Sequence, residues 1–337
     1  MSRTPYQALL LKALIVGVAL ALAAVAAAPA SGDGLPVLGV DAGSQGVAAR
    51  SGQVRYVTFR FGRDTIVART SVAGGKVLGY TRLPGSFTVP AVAYDGSASG
   101  LSADGKTLIL IEPRARFPRA RTALAVLDAK RLVLRKVVTL AGDYSFDAIS
   151  AGGTTMFLIQ YTSAKDPTRY NVRAYDVRGG RLFPNSVVDP HEDQDAMRGS
   201  PITRATSPNG RWAYTLYDGA GGTPFVHALD TEKRQARCID LAMLVGRNDL
   251  WRLRLSVLRS GLSLAVGTPR HAVALIDTNN FSVTAPGRRA EANTSSFYDT
   301  RRWLLLAIAV LATIATVLAV SVAVRRLRAR LARPQHV

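Results

Sequence analysis

The only place where the chain gathers a histidine and several carboxylates is Asp189-Pro-His-Glu-Asp-Gln-Asp195. His191, Glu192, Asp193 and Asp195 offer nitrogen and oxygen donors close together, a set able to hold a divalent ion. An EF-hand loop would also require a glycine at its sixth position and a glutamate at its twelfth, and the segment has neither. Solvated loop charge accounts for the same residues without an ion. These four are the metal candidates; the sequence assigns no catalytic residue, no cofactor-binding residue and no cofactor.

Other reactive side chains read as structure. His227 and His271 each precede a strand that ends in an acid, Asp230 or Asp277, which points to packing. Cys238 lies in the alternating run Ala236–Asp240 and reads as buried filler. Being the single cysteine, it excludes a disulfide framework and a cysteine-based zinc site. No nucleophile elbow, phosphate loop, dinucleotide fingerprint or zinc-protease helix occurs; Gly96-Ser-Ala-Ser-Gly100 has alanine where the elbow needs serine. Trp212, Tyr214, Tyr217 and Trp251 read as interior packing rather than a ligand platform. Asn293-Thr-Ser295 matches a glycosylation sequon.

The elements that would position these residues are short strands. Val54–Phe61, Thr107–Ile111 and Trp251–Val257 are alternating or wholly apolar runs bounded by Gly, Asp and Asn, and no stretch between 36 and 284 keeps a helical period. The strands recur as a unit. A small-residue turn precedes an apolar strand at Gly52, Gly105, Gly153, Gly210 and Gly261, at intervals of 53, 48, 57 and 51. A later strand ends at Asp128, Asp176, Asp230 or Asp277, where the side chain suits a turn by bonding a nearby backbone N–H. A period near 50 with several strands per unit is the pattern of a propeller blade, whose sheet needs neighbours to cover both faces.

Ser102-Ala-Asp-Gly-Lys106 and Ser207-Pro-Asn-Gly-Arg211, each followed by an apolar strand, resemble the S-P-D-G-K turn of WD40-like, TolB-type and YVTN-type bacterial propeller repeats. The strands Val226–Asp230 and Val273–Asp277 resemble the same repeats' V-x-V-I-D segment. Ser150-Ala-Gly-Gly lacks the acid, and Arg259-Ser-Gly is shortened. The resemblance implies an all-β fold, a β-propeller of about five four-stranded blades over residues 36–284, and is almost silent on function. An inserted loop, Asn185 to Thr203, accounts for the widest interval.

The ends set the expected topology. Residues 1–30 carry a basic start and an uncharged run from Ala13 to Ala28, a signal peptide or an uncleaved signal anchor. Trp303 to Val324 has no charge and would span about 33 Å as a helix, enough to cross a bilayer. The five arginines of the tail, 325–337, favour the cytoplasmic side, which places 36–284 outside the cell on a polar stalk, 285–302.

Net charge is +20. Removing Arg3, Lys12 and the five tail arginines leaves 36 bases against 23 acids in the exported part. Such a surface suits anionic polymers or headgroups, while scattered arginines are also what a compositional bias would give. Nucleic acid is a poor partner for an exported chain. The sequence therefore reads as a single-pass membrane protein whose extracytoplasmic propeller is a binding or scaffolding module for an envelope protein or an anionic surface polymer. The alternative is a propeller enzyme, a lactonase-like hydrolase or a quinone-dependent dehydrogenase; four histidines in the whole chain make a multi-histidine site hard to assemble.

Overall fold

The computed structural model describes residues 46–286, apart from 74, 193–196 and 269. The signal segment 1–30, the stalk from 287 onward, the span 303–324, the tail 325–337, the sequon at 293–295 and the candidates Asp193 and Asp195 lie outside the described residues. Among the described residues no helix is long and apolar enough to cross a membrane. They form five antiparallel sheets and three short 3₁₀ turns.

Sheet I holds β1 (Val47–Ala48), β2 (Val54–Phe61), β3 (Asp64–Ser71) and β4 (Val77–Leu83), paired in that order. Sheet II holds β5 (Thr107–Ile111), β6 (Arg121–Asp128) and β7 (Val133–Ala141). Sheet III runs through β8 (Tyr144–Ile149), β9 (Thr155–Tyr161), β10 (Arg169–Asp176) and β11 (Arg181–Ser186), with β12 (Met197–Arg198) pairing beside β11 on β10. Sheet IV is β13 (Pro201–Thr206), β14 (Trp212–Tyr217), β15 (Phe225–Asp230) and β16 (Gln235–Asp240). Sheet V is β17 (Arg254–Val257), β18 (Ser263–Gly267), β19 (Ala272–Asp277) and β20 (Val283–Thr284).

The repeat seen in the sequence is a repeat of hydrogen bonds. At the turn into β2, β5, β9, β14 and β18, the glycine N–H donates to the carbonyl three residues back: Gly52 to Ala49, Gly105 to Ser102, Gly153 to Ser150, Gly210 to Ser207 and Gly261 to Leu258. All five glycines have positive φ, between 66° and 80°, which an L side chain adopts only at a cost. Where the turn begins with serine, its Oγ accepts the N–H of the strand's first residues: Thr107 from Ser102, Thr155 from Ser150, Trp212 from Ser207. At the other recurring corner, Asp128, Asp176, Asp230 and Asp277 each accept backbone N–H bonds from residues two or three further on. The turn chemistry thus sets strand registers locally before any long-range packing.

Alternation then divides each middle sheet between two cores. In sheet II, Leu108, Leu110, Ala123, Ala125 and Leu127 pack against sheet I, while Ile109, Ile111, Leu124 and Val126 pack against sheet III. Sheet III does the same, with Met156 and Leu158 on one side and Phe157, Val172 and Ala174 on the other. Sheet IV turns Leu229 and Tyr217 towards sheet III, and Tyr214, Leu216 and Val226 towards sheet V. A two-residue period with both faces apolar means that no single sheet can leave either face in water. Fully burying one Leu or Val is worth about 1.5–3 kcal/mol, and the four cores each hold between 11 and 14 buried apolar residues.

The inner segments of several sheets meet one another. Segment 88–101, between sheets I and II, bridges β5 at Thr88–Ile111 and Leu101–Leu108. The same segment meets sheet IV, where Tyr94 N–H donates to the Pro201 carbonyl at 2.9 Å, and sheet V, where Asp95 lies 3.7 Å from Arg254. Arg50 of the first turn reaches the Ser207 carbonyl of sheet IV at 2.8 Å. The last strands β4, β7 and β11 are largely exposed. Among the described residues no core cluster joins sheets V and I, and the far face of sheet I leaves Phe59, Phe61 and Tyr80 exposed.

Three sequence expectations are corrected. Trp251–Val257 is not one strand: Leu250–Arg252 form a 3₁₀ turn and the strand starts at Arg254, because Leu253 turns inward as a buried anchor. Trp251 is consequently 66% exposed rather than packed inside. The inserted loop is shorter than 185–203, since β11 runs to Ser186 and β12 and β13 lie within its second half.

Gly153 separates the two costs of a side chain in the turn. A Cβ there would sit 2.5 Å from Thr107 Oγ1 of the neighbouring sheet, whereas one at Gly52 meets nothing within 4 Å. Gly52→Ala should cost about 1 kcal/mol for the backbone alone, and Gly153→Ala about 2–4 kcal/mol. Denaturant unfolding of the two variants measures the difference.

Candidate functional site

Two hollows hold the side chains with chemical potential. The first lies at the inward edges of the sheets, on the end where the glycine turns cluster. It has a volume of about 420 Å³ and is lined by Val47, Arg50, Ser99, Ile149, Arg204 and Ser207, among others. β1, segment 98–103, β8 and β13 each contribute, so only the packed sheets together make it.

Its electrostatics come from two arginines. Arg50 is exposed at the mouth and donates to the Ser207 carbonyl; among the described residues no carboxylate pairs with it. Burial of part of its surface holds the guanidinium below its ordinary pKa, though it stays cationic in water. Arg204 is buried and is paired with Asp147 by both the side-chain carboxylate and the main-chain carbonyl. That pair leaves Asp147 Oδ2 and Arg204 Nε without hydrogen-bond partners. The mouth is therefore polar, hydroxyl-lined and net positive, an arrangement that favours an anionic group.

The second hollow, about 660 Å³, opens beside the insertion and is lined by Asp189, His191, Glu192, Phe225, His227, Cys238 and Asp240, among others. Here the structure places two of the four metal candidates. His191 and Glu192 sit exposed on the loop. His191 Nδ1 is 2.8 Å from Asp189 Oδ1, and its N–H bonds the same oxygen. Among the described residues no three His, Cys, Asp or Glu side chains are gathered to hold a metal ion.

Asp189 is the residue that sequence reasoning missed. Its Oδ2 accepts the Cys238 N–H at 2.7 Å and its Oδ1 lies 3.6 Å from Arg237, so one buried carboxylate fastens the insertion to β16. Burial would raise its pKa, but the N–H donors of Cys238 and His191 outweigh that and hold it below the usual carboxylate range. The signal was present as an aspartate before a proline at the start of the acidic run, yet its partner lies 49 residues away.

His227 and His271 are not equivalent. His271 is exposed in the turn before β19, where Thr268 bonds its backbone. His227 is 2% exposed within the seam between sheets III and IV, edge-on to Tyr217 with centroids 6.3 Å apart. Its Nε2 has no hydrogen-bond partner. Burial pushes its pKa from 6.5 down to about 4. Cys238 is half-buried rather than interior filler, and burial with the nearby Asp189, Glu192 and Asp240 pushes its thiol up to about 12. Of the aromatic residues, Tyr214 and Tyr217 are buried on opposite faces of β14, and Trp212 stacks on Tyr214.

No family model matches the chain, and no curated protein does either. Solved structures do resemble it. They include the Swd1 β-propeller domain of Myceliophteria thermophila Cps50, at 11% identity and a TM-score of 0.44 over 72% of this chain and 71% of that one. TolB from Acinetobacter baumannii matches at 11% identity and 0.39, over 71% and 53% of the two chains. A functionally unknown protein from Desulfotomaculum acetoxidans matches at 15% and 0.45, over 76% and 73%. Propellers are thus among its structural neighbours, in line with the repeat resemblance. The arrangement of sheets around the centre rests on the pairings and cores described above.

The low pKa of His227 has a stability consequence. Between pH 6.5 and about 4 the unfolded chain takes up a proton that the folded chain refuses, so stability falls as pH drops through that window. The contribution is about 3 kcal/mol across it. Unfolding curves of the parent and of His227→Gln should converge with falling pH, because the variant lacks this one proton; parallel pH dependences would contradict the assignment.

Proposed function

We propose that the protein is a single-pass membrane protein whose five sheets are the blades of an extracytoplasmic β-propeller, acting as a binding or scaffolding module. The hollow at the ring centre is its recognition site, and its ligand is an anionic group on an envelope protein or a surface polymer. One observation carries this reading: Arg50 stands at the mouth of a hollow built from four inner edges, held in place by a backbone carbonyl and with no described carboxylate to neutralise it. A guanidinium fixed in this way is pre-oriented for a charge-assisted, bidentate hydrogen bond to a carboxylate or phosphate. Arg204, which lines the same hollow, is held by its buried ion pair with Asp147.

The anchoring half of the reading rests on the uncharged run 303–324 and the arginines after it. The excess of bases over acids in the exported part raises the local concentration of anionic partners, an effect that salt screens.

Retention of the purified protein on isolated cell wall tests the site. Retention should fall steeply between low salt and about 0.5 M salt, where the screening length is only a few ångströms. Arg50→Ala should weaken it roughly three- to tenfold, the worth of one partly exposed charge-assisted contact. Absent or salt-independent retention would reject the anionic ligand. Protease shaving of intact cells reports the topology separately: the propeller should be removed while the tail survives.

A further inference from the structure

Sheet I carries a surface, away from the Arg50 mouth, that the functional reading leaves unused. Cross-strand pairing puts Phe59, Ile66 and Arg82 in one row and Phe61 with Asp64 in the next, so these side chains share one face. Val57, Ala68 and Tyr80 form a third row on that face. The opposite face sends Tyr56, Val67 and Leu83 into the core shared with sheet II. Phe59, Phe61 and Tyr80 stay in water, the last two at 58% and 71% exposure. Single exposed apolar residues are ordinary, but three aromatic rings gathered on one face mark a contact surface.

Positive charge gathers at the same place. Residues 54–83 hold six bases, Arg55, Arg60, Arg63, Arg69, Lys76 and Arg82, and one acid, Asp64, whereas residues 87–286 hold 25 bases and 18 acids. That one acid is already engaged, its Oδ2 lying 2.6 Å from Arg82 Nε. The Arg82 guanidinium also lies 5.4 Å from the centre of the Phe61 ring. Arg60 and Arg63 are exposed in and beside the turn that follows Phe59 and Phe61. A general bias towards arginine adds bases throughout a chain; it does not strip the acids from one sheet.

We propose that this face of sheet I docks on the surface of a bilayer that contains anionic lipids. The combination of side chains selects the partner. A soluble anionic polymer would satisfy the guanidinium groups and leave three rings in water. A bilayer takes both, with the rings at the boundary of headgroups and acyl chains and the cations at the phosphates. Arginine suits this place because its fork matches phosphate while its stem lies along apolar surface. Reach favours the same partner, on the anchored reading given above. Sixteen residues, 287–302, lie between the described region and the uncharged run, a distance of at most roughly 60 Å when fully extended. Tethered within that distance, the face meets lipid at high effective concentration, and a weak contact suffices.

The test footprints the full-length protein with hydroxyl radicals in nanodiscs of phosphatidylcholine alone and in discs enriched in phosphatidylglycerol. Oxidation of Phe59, Phe61 and Tyr80 should drop roughly fivefold or more in the anionic discs, while Met243, exposed outside this sheet, keeps its rate. Each cation at an anionic surface is worth about a fivefold change in binding, so Arg60→Gln combined with Arg63→Gln should restore most of the oxidation. Phe61→Ser, at a position exposed in the folded chain, should leave the thermal midpoint little changed and restore oxidation of Phe59 and Tyr80. The proposal is overturned if the double glutamine variant keeps full protection. It is overturned equally if the rings react at the same rate in both discs, whether open in both or covered in both by another part of the chain or a second copy. Alkaline extraction of native membranes tests the anchor apart from the face. Release of the chain there refutes the span alone, and flotation of the full-length protein with phosphatidylglycerol vesicles, abolished by the two glutamine changes if the face docks, then decides the face.

Discussion

Every sheet of the described region depends on a neighbour for cover. Residues on β5 and β6 alternate between the core shared with sheet I and the core shared with sheet III, and both sets are apolar. A meander with two oily faces and only local turns to hold it cannot persist alone, so stability belongs to the junctions between sheets rather than to the sheets themselves. The glycine and aspartate corners fix each meander's register, and the junctions then decide how the meanders stand to one another. The inward edges follow from that arrangement, and so does the hollow they enclose.

Within this apolar scheme the junction between sheets III and IV departs from the rule. It carries the Arg204–Asp147 pair, Thr215, Tyr170, Tyr217 and His227, all buried. Several of their polar atoms have no partner: Asp147 Oδ2, Arg204 Nε, Thr215 Oγ1 and His227 Nε2. Asp143, a buried charge elsewhere, is by contrast engaged by Arg114 and the Arg119 backbone, with Arg114 lying 4.8 Å over the Tyr161 ring. Strained polar groups that survive without partners mark places where a fold serves something other than its own stability.

What the sequence disclosed and what it withheld divide by distance along the chain. The five turn glycines and four strand-ending aspartates were legible because their bonds close within a few residues, and their spacing carried the sheet count with it. Val54–Phe61 and Thr107–Ile111 were legible as strands because their side chains face cores on a two-residue period. Trp251 misled because Leu253, not the tryptophan, is the residue that turns inward. The hollow at the inner edges was invisible: Arg50 and Ser207 are 157 positions apart, and only the packing of distant sheets brings them together. His227 and His271 looked alike because each stands ahead of a strand-ending acid, but one is inside the strand and the other is in the turn before it. Asp189 was passed over because its carboxylate bonds a strand 49 residues further on, about one whole repeat away.

The junction between sheets III and IV combines two kinds of contact. It has an apolar core of its own, with Phe157, Val172 and Leu229, and beside that core it buries the Arg204–Asp147 pair, Thr215 and His227. Parting it would expose oil and at the same time wet polar groups that already lack partners. The insertion is tied to β16 beside that junction, with the Asp189 carboxylate as its buckle.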